Sequence, residues 1–205
     1  FENPILASGT CGENIGWKLY ENGKLLLKGS GAMENYTSGN APWYQYADMI
    51  AEIILDPRIT VIGSYAFENI SNITDIEFGH SLETVGAGAF KDCSSVKSLI
   101  FPNTVASIGD EAFSGCEGIT SIIIPESVSY IGEKVTIHPN EDFRYIGEKA
   151  FYGCTSVKTV KLGPSVEMIG TQAFDSCTSL SEIYFYGKPV PASTTTFGTA
   201  SGKLL

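Results

Sequence analysis

The dominant feature of the sequence is a recurring pattern of apolar and small positions. Its anchor reads Ile-Gly-x-x-Ala-Phe and is clearest at residues 108–113. Successive anchors are 23 residues apart, except for one interval of 38 residues between Ile108 and Ile146. The anchors begin at Ile62, Val85, Ile108, Ile146 and Ile169. Periods of about 20 to 50 residues are typical of stacked arrays, in which each unit buries its apolar face against its neighbours. The pattern therefore predicts a solenoid of about six coils.

Each coil also carries an alternating apolar pair that predicts a short β-strand with one face inward. Proline or glycine follows most of these pairs and ends the strand, because proline lacks an amide donor and glycine allows a turn. The pairs are Ile53/Leu55, Ile76/Phe78, Leu99/Phe101, Ile122/Ile124, Val160/Leu162 and Ile183/Phe185.

A further apolar position lies three residues before each anchor and predicts the start of a return leg. These residues are Ile59, Leu82, Val105, Val128, Phe143 and Val166. The Ala-Phe pair of the anchor indicates a short helical or 3-10 turn, with the small alanine permitting close stacking and the phenylalanine filling the core. We expect Phe90, Phe113, Phe151 and Phe174 to lie in one column.

Residues 1–49 do not carry the repeat and are interpreted as an amino-terminal cap. Two β-like runs, 15–20 and 24–28, are separated by Glu21-Asn22-Gly23, and Asn-Gly between such runs is a strong hairpin signal. Pro42 then indicates the start of a helical turn. We expect Trp17, Trp43 and Tyr44 to cover the open apolar end of the first coil. An aromatic sugar-binding platform is the alternative function for these side chains.

The 38-residue interval contains a 15-residue insertion around residues 131–145. Tyr130-Ile-Gly-Glu-Lys134 starts an anchor in register, and the same five residues recur at 145–149. The intervening segment predicts a projecting loop, and such inserts often lie on a binding face. The candidate residues are His138, Asn140, Glu141, Asp142 and Arg144. The alternative is a tolerated surface excursion, since long loop insertions have a small entropic cost.

The pattern divides the chain into three parts: the cap at 1–49, the array at 50–188 and a last segment at 189–205. Phe197 lies 23 residues after Phe174, but Pro189, Pro191 and a run of threonines replace the usual apolar positions. The last segment is therefore interpreted as a degenerate closing repeat or a linker.

Four of the five cysteines occupy one position of the repeat, three residues after the anchor phenylalanine; they are Cys93, Cys116, Cys154 and Cys177. The first complete coil has Ile70 there, which a packing position tolerates and a disulfide does not. We expect small buried thiols that donate weak hydrogen bonds to turn carbonyls, although the expected strand spacing does not exclude disulfides. Cys11 lies outside the array.

Charge and motif content limit the function. The chain has 13 basic and 23 acidic residues and a net charge of −10, which disfavours nucleic-acid binding. No apolar stretch is long enough to span a membrane, and the first residues do not resemble a signal peptide, so we expect a mature or trimmed fragment. Neither His80 nor His138 lies in a recognisable catalytic motif. The sequence predicts no enzyme activity, no cofactor and no metal site; Asn140-Glu141-Asp142 lacks the spacing of a calcium loop.

The repeat resembles the leucine-rich repeats of the BspA-like bacterial surface proteins, through positions such as Ser107-Ile-Gly-Asp-Glu-Ala-Phe-Ser-Gly-Cys116. The resemblance covers nearly the whole chain. It implies a leucine-rich-repeat-like solenoid of short parallel strands on a bacterial, secreted or cell-surface protein, often linked to adhesion, with no catalytic residues.

One outward row of strand positions is more apolar than a solvated face should be: Ile54, Glu77, Ile100, Ile123, Lys161 and Tyr184. Exposed apolar area usually marks a contact site. We expect Ile100, Ile123, Lys161 and Tyr184 to form a protein-binding face for an extracellular or host protein, or for self-association. The alternative is that a neighbouring loop or a second copy covers the row. The predicted function is thus a non-catalytic, adhesin-like binding module, with a spacer domain of a larger cell-surface enzyme as the alternative.

Overall fold

The computed structural model describes residues 3–128, 130–131, 145–166, 168–187, 196–198 and 203–204. Its secondary structure consists of short strands and one 3-10 helix, Tyr44–Met49. In chain order the strands are β1 (Ile5–Gly12), β2 (Ile15–Tyr20), β3 (Lys24–Gly29), β4 (Gly31–Ala32), β5 (Glu52–Leu55), β6 (Ile59–Ile62), β7 (Asp75–Ile76), β8 (Thr84–Val85), β9 (Ser98–Leu99), β10 (Ser107–Ile108), β11 (Ser121–Ile124), β12 (Tyr130–Ile131), β13 (Tyr145–Ile146), β14 (Thr159–Leu162), β15 (Met168–Ile169), β16 (Glu182–Phe185) and β17 (Lys203–Leu204).

The predicted strand of each coil belongs to one face of the solenoid, which we call the front sheet. Its strands are β3, β5, β7, β9, β11, β14, β16 and β17. Parallel pairing joins β3 to β5, β7 to β9, and β11 through β14 and β16 to β17. A bridge between Ile54 and Glu77 connects β5 to β7, and β9 contacts β11. Equivalent positions of successive coils therefore lie side by side.

The return legs form a second parallel sheet, the back sheet, which the pattern alone did not specify. Strands β4, β6, β8, β10 and β12 pair in that spatial order, and β13 pairs with β15. The apolar residues that open the return legs are buried at Ile59, Leu82, Val105, Val128 and Val166. The core lies between the two sheets and the turns that connect them.

The anchor phenylalanines lie in a single column, as predicted. Ring centroids are 5.4 Å apart for Phe90 and Phe113, 5.6 Å for Phe113 and Phe151, and 5.4 Å for Phe151 and Phe174, with nearly parallel planes. Trp43 stacks on the first phenylalanine, Phe67, and Phe197 stacks on the last. Each stacked aromatic pair contributes about 0.5–1.5 kcal/mol beyond its buried area.

The segment that contains the column consists of turns in the structure and not of a helix. Two residues of each complete coil have positive φ, such as Glu111 at 52° and Gly115 at 73°. A right-handed helix cannot contain such residues. Backbone N–H groups instead donate along the stack to the next coil; the Phe90 N–H binds the Ala112 carbonyl at 2.8 Å. The coils are therefore joined by hydrogen bonds on the turn side as well as in both sheets.

The cysteine column has the predicted packing role. All five cysteines are free and buried. The Cys93 and Cys116 thiols donate to the carbonyls of Phe67 and Phe90 in the preceding coil, both at 3.1 Å. Burial raises the pKa of the Cys93 thiol to about 12. The thiols are therefore protonated at neutral pH and serve to fill the corner of each coil.

The cap meets the first coil through aromatic side chains. The Trp43 indole N–H donates to the Ala66 carbonyl at 2.7 Å, and Trp17 packs edge-on against Trp43 at 5.6 Å. The expectation for Tyr44 differs from the structure, since this side chain is exposed. Tyr36 takes the covering position, 6.1 Å from Trp43, and its backbone N–H donates to the Ser64 carbonyl of the first coil at 2.9 Å.

Among the residues that the structure describes, the interval with the insertion adds a strand to the back sheet. In the back sheet β12 pairs with β10 and contacts β13, so both copies of Tyr-Ile lie in this sheet. In the front sheet β11 pairs directly with β14. The insertion therefore leaves the front sheet uninterrupted. The candidate residues His138, Asn140, Glu141, Asp142 and Arg144 lie outside the described residues and remain predictions.

Candidate functional site

The most exposed apolar side chains of the array lie on the front sheet. Strand alternation buries Leu99 and Ile122 and turns Ile100 and Ile123 outward. Ile100 is 77% exposed and Ile123 is 53% exposed. Burying an isoleucine is worth about 1.5–3 kcal/mol, so these two positions favour contact with another molecule.

Lys161 and Tyr184 continue the same row. Parallel pairing places Ile123 beside Lys161, and Lys161 beside Tyr184. The Lys161 ammonium lies 5.9 Å from the centre of the Tyr184 ring, within range of a cation–π interaction. The Tyr184 hydroxyl donates to a Glu182 carboxylate oxygen at 3.2 Å, and this hydrogen bond raises the pKa of the phenol. The structure thus pairs Ile123, Lys161 and Tyr184 in one row, and Ile100 lines a depression together with Ile123.

Tyr186 also belongs to this surface and was missed from the sequence. It is 61% exposed and follows Tyr184 by two residues. It lies just beyond β16. The alternation of inward and outward side chains therefore continues for one residue past Phe185, the last residue of the apolar pair that predicted the strand. Extending the alternation by two residues would have found it.

Two shallow depressions flank this row of side chains. One, of about 610 Å³, lies at the ends of the strands, and its lining includes Ile100, Ile123, Pro125, Pro164 and Tyr186. The other, of about 440 Å³, lies over the strands, and its lining includes Ile123, Lys161, Tyr184 and Tyr186. Ile123 and Tyr186 border both depressions. We call Ile100, Ile123, Tyr184 and Tyr186 the apolar patch.

Carboxylates lie around the apolar patch. Glu77 precedes Ile100 in the same outward row, because β7 and β9 pair in register. Glu126 lines the larger depression and Glu182 lines the smaller one. All three side chains are exposed. Lys161 is the cation in the row itself, and it lies beside the ring of Tyr184.

The described residues contain no group of three or more His, Cys, Asp or Glu side chains arranged to hold a metal ion. His80 is exposed in the turn after β7. Over the same described ranges, no helix has the length and hydropathy needed to cross a bilayer.

Comparisons with known proteins agree on the repeat. The family model described as "BspA type Leucine rich repeat region" matches residues 40–140 and 133–201, in six copies. No curated protein sequence shows significant similarity to the chain.

Solved structures of bacterial proteins share the fold. The pneumococcal vaccine antigen PcpA superposes with a TM-score of 0.60 at 18% identity, over 94% of this chain and 42% of that one. The leucine-rich repeat protein of T. pallidum has a TM-score of 0.60 at 20% identity, covering 95% and 97% of the two chains. A leucine-rich cell surface protein from Faecalibacterium prausnitzii has a TM-score of 0.55 at 22% identity, covering 95% and 58%.

Proposed function

The chain belongs to the BspA-type leucine-rich repeat family, and from this premise we propose that it is a non-catalytic module that binds another protein at the bacterial surface or after secretion. The observation that carries the proposal is the pair of exposed isoleucines, Ile100 and Ile123, on the otherwise regular front sheet. A binding face typically combines a few apolar and aromatic anchors with a polar rim. The apolar patch and its surrounding carboxylates have this composition.

The scaffold supports such a role because it holds the face rigidly. Ile123, Lys161 and Tyr184 lie on consecutive paired strands, and the turns behind them are joined by the phenylalanine column and by hydrogen bonds between coils. Side chains that are already ordered lose little entropy when a partner binds.

The chemistry of the titratable groups supports a non-catalytic role. The cysteine thiols are buried, and the pKa values of the four in the array are raised by desolvation. A nucleophilic cysteine needs the opposite, an accessible thiol with a lowered pKa. His80 is exposed in a turn, whereas these thiols are buried.

The surface location is supported by the family and by one neighbour. The Faecalibacterium protein of the same fold is described as a leucine-rich cell surface protein. An adhesive role also agrees with the acidic net charge of −10, which disfavours nucleic acids as partners.

The test is a binding measurement on a panel of purified host extracellular proteins. We expect Ile100→Asp with Ile123→Asp to weaken any specific interaction at least tenfold, because each change places a carboxylate where an apolar side chain would be desolvated. Ser94→Asp with Thr120→Asp is the matched control, since it adds the same charges to the same coils at exposed positions that line neither depression. Equal binding by the wild type and the isoleucine variant, with unchanged circular dichroism, would remove the proposal.

A spacer or accessory domain of a larger cell-surface enzyme is the second candidate. It is favoured by the lengths of two neighbours, since the chain spans 42% of PcpA and 58% of the Faecalibacterium protein. Deleting the array from the complete gene product distinguishes the two. A spacer predicts unchanged activity of the neighbouring domain on a soluble substrate and lower activity on a substrate fixed to a surface.

A further inference from the structure

The apolar patch is bordered by carboxylates on more than one side. Glu77 lies one coil before Ile100 in the same row. Glu182 lies on the last complete strand of the patch and accepts the hydrogen bond of the Tyr184 hydroxyl. Glu126 lies at the strand ends, where it lines the larger depression with Pro125 and Pro164. A ligand that covers the patch would therefore place its flanking residues beside negative charge.

Lys161 is the positive charge of this row, and it lies within the patch beside the Tyr184 ring. Its ammonium lies at 5.9 Å from the Tyr184 ring centre, where the negative face of the ring attracts it. The Lys161 ammonium thus points toward the apolar patch, whereas Glu77 and Glu126 lie at the edges of the patch.

The charge of the whole chain agrees with that of the site. A net charge of −10 disfavours a second copy as the occupant, because two like-charged faces repel one another at close range. It attracts a cationic partner and raises the rate of encounter. Complementarity therefore selects a basic protein segment over a second copy of this chain.

We propose that the front sheet binds a segment of another protein in which two or three large apolar side chains are flanked by lysine or arginine. The apolar side chains of the segment cover Ile100, Ile123, Tyr184 and Tyr186, and its cations face Glu77, Glu126 and Glu182. From Ile100 to Tyr184 the patch crosses three strand spacings, about 14 Å, which accommodates a short segment. This inference rests on the proposed protein-binding function and names the chemistry of the partner.

The test uses two synthetic peptides as probes. Both contain three leucines; one has a pair of lysines at each end, and the other has glutamates in place of the lysines. We expect the lysine peptide to bind at least tenfold more tightly at low salt. We expect this preference to disappear at high salt, because ions screen exposed charges over about 10 Å at 0.1 M and about 3 Å at 1 M.

Two variants locate the interaction. The triple variant Glu77→Gln, Glu126→Gln and Glu182→Gln is expected to lose about tenfold in affinity for the lysine peptide and to gain affinity for the glutamate peptide. The double variant Ile100→Ser and Ile123→Ser is expected to weaken both peptides without changing the charge preference. All of these side chains are exposed, so thermal unfolding should change little and reports whether each variant is folded.

The outcomes separate this inference from the proposed function. Equal binding of both peptides, lost in the isoleucine variant, overturns the basic partner and leaves the protein-binding face standing. If the triple glutamine variant still prefers the lysine peptide to the glutamate peptide, the inference is also overturned, because the preference would then come from charges other than these three glutamates. Absence of binding by either peptide at millimolar concentration overturns it as well, while the binding measurement on whole extracellular proteins decides the proposed function separately.

Discussion

At the scale of single residues, the repeat requires positive φ angles that the pattern of apolar positions does not predict. The position before the cysteine slot has positive φ in every complete coil, at Asn69, Asp92, Gly115, Gly153 and Ser176. Glycine, asparagine and aspartate tolerate this conformation better than other residues. The position holds asparagine, aspartate, glycine or serine, so the repeat does not require glycine there.

Two glycines at this position allow the backbone cost to be separated from steric clash. Gly153→Ala should lower the free energy of unfolding by about 1 kcal/mol, since φ is 70° and an added Cβ would meet nothing closer than 3.8 Å. Gly115→Ala should lower it further, because its Cβ would lie 2.1 Å from an Asp92 carboxylate oxygen. Urea unfolding of both variants measures the difference. Equal losses would show that the Asp92 side chain moves away without cost.

At the scale of elements, the cap forms the same type of hydrogen bond to the first coil that the coils form with one another, but its donor is an indole N–H and not a backbone N–H. Within the array, the Phe67 N–H donates to the Ala89 carbonyl of the next coil at 2.8 Å. The Ala66 carbonyl of the first coil receives the Trp43 indole N–H in the same way. No coil precedes the first one to supply a backbone N–H for this carbonyl, and the Trp43 side chain supplies the donor instead. The hydrogen bond satisfies a buried carbonyl that would otherwise be unpaired.

Replacing each cap tryptophan by phenylalanine tests this role. Trp43→Phe keeps the stacking on Phe67 but leaves the Ala66 carbonyl unpaired, which should cost about 2 kcal/mol in addition to the lost ring area. Trp17→Phe is the control, since the buried Trp17 N–H has no hydrogen-bond partner among the described residues. Chemical denaturation of the two variants is expected to show the larger loss for Trp43→Phe. Equal losses would mean that the indole hydrogen bond adds nothing measurable.

At the scale of the whole molecule, stability comes from contacts between adjacent coils. Hydrogen bonds join successive coils along the turns and through most neighbouring strand pairs of the two sheets, and such arrays behave as nearly one-dimensional systems. The stability of a shortened array should therefore depend less on which coil is removed than on whether the remaining coils still stack in register.

Deletion of a complete coil tests this picture. Removing residues 85–107 joins Thr84 to Ile108 and preserves the order of slots. We expect a folded protein with the same type of circular dichroism spectrum and a lower unfolding temperature, because one interface between coils is lost. Removing residues 85–96 instead deletes the anchor and the cysteine slot of one coil but keeps its front-sheet residues Ser98–Leu99, so it should lower the unfolding temperature more than removal of the complete coil does. An unfolding temperature equal to or above that of the complete deletion would contradict the dependence on register.

The site was predicted less completely than the fold. The alternation identified Ile100, Ile123, Lys161 and Tyr184 as outward positions. The structure pairs Ile123, Lys161 and Tyr184 in one row, and Ile100 lines the larger depression together with Ile123. The exposure of each side chain and the contribution of Tyr186, Pro125 and Pro164 depend on which turns lie nearby. Those turns come from coils more than 20 residues away, and their relative placement is not encoded in any local window of sequence.

The sequence by itself determined the period, the buried slots, the column of phenylalanines and the packing of the cysteines, because a residue that repeats in every coil meets its own equivalent in the neighbouring coil. Only the tertiary structure decided that the return legs pair as a back sheet, that turns with positive φ replace short helices, and that the described part of the insertion interval adds a strand to the back sheet. These features depend on hydrogen bonds and contacts between residues far apart in the chain. Apolar periodicity predicts which side chains are buried but not which backbone groups and side chains contact one another.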